Sequence, residues 1–255
     1  MNRSISVKLI VVNAMIASVY AALTLAISPI AYSEIQFRLS EIMVFLALYN
    51  KKYIPGLIIG CIIANLFSPM GLLDVIFGTI STIIVCITMY VIKNRYSCKK
   101  FSSEQIGKDK LDAILEAGRV APTAKNLQEQ HIYVVQSESA LETIDKLTPC
   151  RYNAPTVLIV AYNKNNVFTY LGDKRNSGIE DATIVATHLM LAAYNEGVDS
   201  CWINFFNPDE LAKAFNLPED EEILMLLDLG VADKTTTPLP NHNSRKALTE
   251  TASFI

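Results

Sequence analysis

The sequence predicts an all-α membrane segment of about four helices over residues 1–92, followed by an α+β domain over residues 93–255. Three observations carry this. The 255 residues are 51% hydrophobic and only 18% charged, where a soluble domain holds about a quarter charged residues. The charge is unevenly placed, with 5 Lys+Arg and 3 Asp+Glu before residue 93 and 17 and 22 from there on. The apolar pattern also changes there, from long continuous runs to alternating helix-like and strand-like segments. Together these exclude a uniform soluble globule and a disordered chain, and a net charge of −3 excludes a strongly basic nucleic-acid binder.

In the first part the apolar runs cover residues 9–27, 39–49, 54–67 and 71–92. The first and last approach the ~20 residues that cross a bilayer. The middle two are short, and span only if flanking residues join them or the bundle buries them. The first run is longer than a signal-peptide core and precedes further apolar segments, so it reads as a retained helix. Basic residues cluster before the first run (Arg3, Lys8), between the second and third (Lys51, Lys52) and after the fourth (Lys93, Arg95, Lys99, Lys100). The positive-inside rule then places both termini, and all of residues 93–255, in the cytoplasm of a multi-pass cell-membrane protein.

Ala14, Ser18, Ala22 and Ala26 recur every four residues, a small-residue face that admits a close helix, either within the bundle or from another membrane subunit. Arg38, Glu41 and Asp74 are ionisable groups at or inside apolar runs. Such groups face a partner or a cavity. Arg38 and Glu41 are spaced to pair on one helical face, and the alternative is a polar ligand pocket.

In the second part, residues 108–120 read as an amphipathic helix. Residues 131–136 and 156–162 read as strands, 179–196 as a long helix apolar on nearly every face, and 200–206 and 223–231 as two more strands. The long helix suits a core or a subunit interface. Five cysteines without C-x-x-C spacing and three scattered histidines offer no disulfide framework and no metal site. No G-x-G-x-x-G, P-loop or G-x-S-x-G occurs, which excludes a Rossmann dinucleotide site, a transport ATPase and a hydrolase elbow.

What remains is an anion-binding set. Arg95, Ser97 and Lys99 bring a guanidinium, a hydroxyl and an ammonium within five residues, and Arg245 stands in a polar tail. A phosphomonoester is recognised by this mix. A juxtamembrane basic cluster for orientation and lipid headgroups would carry the same charges.

Two families are resembled. The blocks Ser28–Glu41, Ile54–Leu66 and Gly71–Thr79 resemble the QueT-type substrate-binding components of energy-coupling-factor importers, proposed to take up queuosine precursors. That resemblance covers residues 5–92. Family members continue for several more membrane helices, whereas here the chain turns polar after the fourth run. It implies a docking role for the small-residue face, toward an energising subunit.

From Arg95-Tyr-Ser-Cys-Lys-Lys-Phe101 and Leu111–Gln128, through Asn153–Val160, Leu191–Gly197 and Ser200–Phe206, to Ser244-Arg-Lys246, the chain resembles the FMN-dependent nitroreductase family. This covers residues 94–255 and implies a nitroreductase-like FMN sandwich. The resemblance assigns Arg95, Tyr96 and Ser97 to the arm that holds the FMN phosphate, with Arg245 joining them. It sets Lys99 near the pyrimidine edge of the flavin and Thr123, Asn126 and Gln128 against the ring. Asn204 and Phe205 would lie on the N5 side, although many relatives have glycine there. The tryptophan usual soon after the Asn-x-Gln block is missing, and Glu129 and Gln130 stand there instead.

The family forms homodimers with both flavins at the interface. Hydride passes from NAD(P)H to the flavin and on to a nitro- or quinone-type acceptor in a ping-pong scheme, so no catalytic side chain is required. The resulting expectation is a membrane-anchored flavin oxidoreductase. The alternative is a queuosine-precursor importer component that carries the flavin domain as passenger or processing enzyme. A third reading has the second domain only dimerise the membrane part.

Overall fold

The computed structural model describes residues 7–31, 39–172 and 174–253. Two units, Met1–Asn94 and Arg95–Ile255, separate within it. Arg3, Glu34 and Arg38 lie outside the described residues.

In unit 1, helix α1 (Val7–Ala26) packs against α2 (Ile54–Asn65), and α3 (Leu72–Asn94) completes the bundle. A polar residue, Asn13, joins the first two. Its Oδ1 accepts the Gly56 N–H at 2.7 Å and its Nδ2 donates to the Lys52 carbonyl at 2.9 Å. The start of α2 is thereby capped by α1, which removes two unsatisfied backbone groups at a helix end. Gly56 and Gly60, four residues apart on α2, allow this approach. A Cβ on Gly60 would sit 2.7 Å from the Tyr20 Cβ and 2.9 Å from the Ala17 carbonyl. Ala17, Tyr20 and Ala21 are the buried side of α1. Ala14, Ser18, Ala22 and Ala26 are exposed, so the small-residue face is not used in packing this unit.

Helices α1 and α3 have 20 and 23 residues, or roughly 30 and 35 Å at 1.5 Å per residue, enough to cross a bilayer core. Large apolar side chains such as Val11, Met15, Phe77 and Ile84 are exposed on both. Of the four expected segments, two thus reach spanning length. The run at Leu39–Tyr49 winds largely as 3-10 helix, and α2 has 12 residues.

Unit 2 is built on one four-stranded sheet, β1 (Gln130–Val135), β2 (Thr156–Asn163), β3 (Asp199–Ile203) and β4 (Glu221–Gly230). The order is β1-β2-β4-β3, antiparallel throughout. β2 is central and almost wholly buried, and its period-two alternation feeds two cores. Leu158 and Val160 face α4 (Lys108–Arg119) and α6 (Gly178–Asn195), while Val157, Ile159 and Ala161 face α5 (Glu138–Leu147) and α7 (Pro208–Ala214). Helices therefore cover both faces of the sheet, an α+β sandwich.

Some boundaries differ from the sequence reading. Residues 95–101, which carry part of the basic cluster after the fourth apolar run, are not a loose linker. They form an extended arm that bridges Ser97 to Ser200 in parallel and Phe101 to Ala232, with the Cys98 N–H donating to the Ser200 carbonyl at 2.9 Å. β3 ends at Ile203, so Asn204 and Phe205 lie beyond the sheet. α6 buries one stripe, including Val185, Ala186, Leu189 and Ala193, and leaves Ile179 and Ile184 exposed. The all-round apolar composition thus divides into a core face and a second, open face.

Candidate flavin site and membrane cavity

The arm positions the expected phosphate ligands along β3. Arg95 is half-buried, and its Nη1 is fully buried with no hydrogen-bond partner. Burial lowers its guanidinium from the ordinary arginine range. The Ser200 hydroxyl, on the strand that the arm bridges, is likewise buried and unpartnered. An unpaired buried donor is costly, and a cation more so. Both conditions are relieved by an anion with several acceptor oxygens, so the donor set fits a phosphate. Ser97 is half-buried beside them.

Lys99 is exposed but fixed. Its Nζ donates to the Tyr152 hydroxyl at 3.1 Å and lies 5.1 Å from that ring's centroid, and the hydroxyl contact raises its pKa. Tyr96 is held between the arm and the C-terminal tail, its ring edge-on to His242 at 6.4 Å. Burial pushes its hydroxyl up to about 12, so it remains a neutral donor. Arg245 lies three residues beyond His242. Its Nη1 is engaged by the carbonyls of His242 and Ser244 at 2.7 and 2.6 Å. The tail is thus brought alongside the arm at Tyr96, while the Arg245 guanidinium is occupied by its own turn.

The ring-facing block is elsewhere. Thr123 caps a short 3-10 turn, its Oγ1 accepting the Gln128 N–H at 3.0 Å. Lys125, Asn126 and Gln128 all take left-handed φ values, 53°, 56° and 53°, which cost energy outside glycine and persist only where surroundings enforce them. The Ala124 N–H, held by Asp181 Oδ1 at 3.0 Å, supplies one such constraint. Asn204 accepts the Trp202 indole N–H at 2.8 Å. Phe205 is 72% exposed, with its carbonyl fixed by Thr148 at 2.7 Å.

The 123–128 loop enters β1, whereas the arm lies on β3, and these are opposite edges of the sheet. Gln130 aligns through Tyr162 with Glu222, and Ser200 aligns with Leu229. Three inter-strand steps of ~4.8 Å and seven residues of ~3.3 Å put the two about 27 Å apart. Lys99 and Gln128, both expected at one flavin ring, are therefore not brought together within one copy.

Sequence reading missed Ser200, Tyr152 and Asp181. Ser200 opens a block of the family resemblance but was given no role, Tyr152 lies in none, and their roles arise only when β3 and the 148–153 turn meet the arm. Asp181 had a visible signal, an acid in the first turn of a long apolar helix, where an N-terminus favours it. Glu129 stood out in the sequence. It is 4% exposed, its Oε2 has no partner, and burial beside Asp181 pushes its carboxyl up to about 7.

In unit 1 a cavity of about 360 Å³ is lined by Glu41 and Asp74 together with Phe45, Phe77, Ser81 and Thr82. Asp74 is 8% exposed and accepts a short hydrogen bond from the Ser68 hydroxyl. Two of the three ionisable candidates thus meet at one cavity, and Arg38 lies outside the described residues. Among the described residues no group of three metal-ligating side chains occurs.

Comparison with known proteins places both units. The nitroreductase family model matches residues 92–150 and 148–231, and the chain belongs to that family. The QueT transporter model matches residues 10–116, so a QueT-type segment is joined to the nitroreductase domain. A crystal structure of a nitroreductase family protein from Clostridium difficile is 32% identical, covers 64% of this chain and 95% of its own, and superposes with a TM-score of 0.60. A Bacillus subtilis protein named as the NAD(P)H nitroreductase YodC is 28% identical over 62% of this chain and 94% of its own length. A nitroreductase solved in complex with FMN from Exiguobacterium sibiricum has the same fold, at 21% identity over 66% of this chain and 97% of its own, with a TM-score of 0.58. The queuosine precursor transporter QueT of Lactococcus lactis is 39% identical over 39% of this chain, and the chain spans 59% of that relative's length.

Proposed function

We propose that the chain is a membrane-anchored, FMN-dependent NAD(P)H oxidoreductase whose domains divide near residues 92–93, with unit 2 in the cytoplasm. The observation that carries it is the buried, unpartnered Arg95 Nη1 on an arm that bridges, at Ser97, the strand residue Ser200, whose hydroxyl is also buried and unpartnered; these are donors that an FMN phosphate would complete. When bound, FMN supplies the two-electron chemistry. The residues bind and orient. Arg95, Tyr96, Ser97 and Arg245 would hold the phosphate end. Lys99, steadied by Tyr152, would set positive charge near the ring. Thr123, Asn126 and Gln128 would present polar groups to the ring, and Asn204 and Phe205 would border it. Because the two groups stand on opposite sheet edges, the reading requires a homodimer in which the arm of one copy and the 123–128 loop of the other enclose each flavin. The open face of α6, with Ile179 and Ile184, suits such an interface. A nitro- or quinone-type acceptor would follow NAD(P)H into the same place.

Trp202 is the only tryptophan and sits on β3 beside Cys201 and Ile203. Titration of the full chain in detergent with FMN should quench its fluorescence to a saturating end point at one flavin per chain. An absence of saturable quenching would overturn the reading.

A second reading concerns unit 1, and the Glu41–Asp74 cavity favours it. A volume of this size lies at the lower end of small-ligand sites, and the two carboxylates could accept hydrogen bonds from a 7-deazaguanine-type queuosine precursor. The exposed Ala14, Ser18, Ala22 and Ala26 face would dock an energising subunit of an importer. Labelled precursor should co-purify with the chain and be lost in Asp74→Ala. Equal retention by both would remove this reading.

A further inference from the structure

Beneath the 123–128 loop lies a pair of acids that no flavin contact requires. Glu129 and Asp181 are 4% exposed each and are hydrogen-bonding neighbours. The Glu129 Oε2 and the Asp181 Oδ2 are both buried without a donor. The remaining oxygens are used. Asp181 Oδ1 accepts the Ala124 N–H at 3.0 Å, and the Ser177 hydroxyl lies 3.5 Å from Glu129 Oε1. Two carboxylates cannot donate to one another, so two orphaned oxygens on neighbouring carboxyl groups call for one proton between them.

Several ionisable groups on the surrounding elements are engaged elsewhere. Lys125, on the loop, lies 4.7 Å over the Phe168 ring. Arg175 pairs with Glu180 at 3.5 Å. On β4 and the turn before it, Asp220 accepts from Asn163 at 2.7 Å, Glu221 binds His131 and Tyr133 at 2.6 Å, and Glu222 lies against the Tyr162 hydroxyl. Among the described residues no ion pair joins a cation to Glu129 or Asp181.

We propose that Glu129 and Asp181 are positioning residues that share one proton, and that the protonated pair holds the Ala124 N–H and with it the strained 123–128 loop in its binding conformation. Loss of the proton to water leaves two buried negative charges in contact. Their separation moves Asp181 and frees the loop. Burial, with Asp181 as neighbour, pushes the Glu129 carboxyl up to about 7, so that carboxyl changes state in the physiological range. The consequence for cofactor binding rests on the reading that this loop faces the flavin.

The test uses the full chain in detergent, with FMN as probe and Glu129→Gln as comparator, because the glutamine amide donates permanently where the proton did. In the wild type, FMN affinity should fall about tenfold for each pH unit above the pair's pKa. The ratio of wild-type to Glu129→Gln affinity cancels ionisation of the FMN phosphate itself. A ratio that stays constant from about pH 6 to 8 overturns the proposal. Without FMN, amide exchange of the 123–128 segment should quicken above neutral pH in the wild type, relative to Glu129→Gln. Equal exchange in both also overturns it. If Glu129→Gln does not fold, an infrared carboxylic-acid band that titrates near neutral pH in the wild type decides, and its absence refutes the shared proton. Should FMN fail to bind either protein at any pH, the flavin reading falls, and the exchange and infrared results still judge the pair.

Discussion

Asp228→Asn should gain heat stability relative to the wild type as pH rises. Asp228 is 1% exposed in the middle of β4, opposite Cys201 on β3 and Val157 on β2, and neither carboxyl oxygen has a hydrogen-bond partner. Burial pushes its pKa well above the carboxylate range. Arg151 opposes this, but its guanidinium is already paired with Asp145. The folded chain therefore keeps the acid protonated where the unfolded chain has lost the proton. The sign follows from the raised folded-state pKa. The stability linked to this group is fully present below about pH 4 and declines as pH rises toward the folded-state value. In that window the loss is about 1.4 kcal/mol per pH unit.

For a unit of this size, 1 kcal/mol moves the midpoint by ~2–4 °C. The wild type should thus lose ~3–5 °C per pH unit relative to Asp228→Asn, which is nearly isosteric and cannot ionise. Trp202, adjacent to Cys201, reports the melting of unit 2 in the full chain, so fluorescence-monitored unfolding at about pH 5, 6 and 7 suffices. The Glu129 titration is common to both proteins and cancels in the difference. A midpoint difference independent of pH would refute the assignment of a neutral, unsatisfied acid.

Three further outcomes follow from the geometry. Arg95→Ala should weaken FMN binding roughly tenfold to a hundredfold, the worth of a charge-assisted hydrogen bond to phosphate, and Arg95→Lys should recover only part because the fork is lost; unchanged quenching of Trp202 would contradict the phosphate assignment. Gly60→Leu should drive α1 and α2 apart, since even a Cβ meets Tyr20 and Ala17 within 3 Å; maleimide labelling of Cys61, 1% exposed, should speed up while the Trp202 melting midpoint stays put. Loss of the shared Glu129–Asp181 proton should weaken FMN binding above neutral pH in the wild type alone, checked by the affinity ratio to Glu129→Gln.

Much of the fold was legible in local pattern. The apolar run Val157-Leu-Ile-Val-Ala161 announced a strand, and Leu111, Ile114 and Leu115 announced α4. Helix α5 went unread although Ala140, Leu141, Ile144 and Leu147 follow helical spacing, and α7 although Asn207 and Pro208 form a clear start. Neither segment carries a functional motif, and both are short. The arm at 95–101 looked like a basic junction because its partners, Ser200 and Ala232, are a hundred or more residues away. The same non-locality hid the placement of the expected flavin residues. Their identities follow the family pattern, but their division between opposite sheet edges is a property of strand order, which periodicity does not encode. Glu129 was visible as a departure from that pattern. Its meaning required Asp181, brought to it by the packing of α6 on β2.

The central claim is that unit 2 uses flavin to oxidise a nicotinamide while unit 1 sits in the membrane. The most direct measurement is the visible absorption spectrum of the full chain, purified in detergent with FMN, before and after anaerobic addition of NADH or NADPH. The account predicts a bound flavin spectrum that bleaches with about one equivalent of one of the two nucleotides, returns with a quinone or nitroaromatic, and is lost in Arg95→Ala. A colourless protein, or a bound flavin that neither nucleotide reduces, would contradict it.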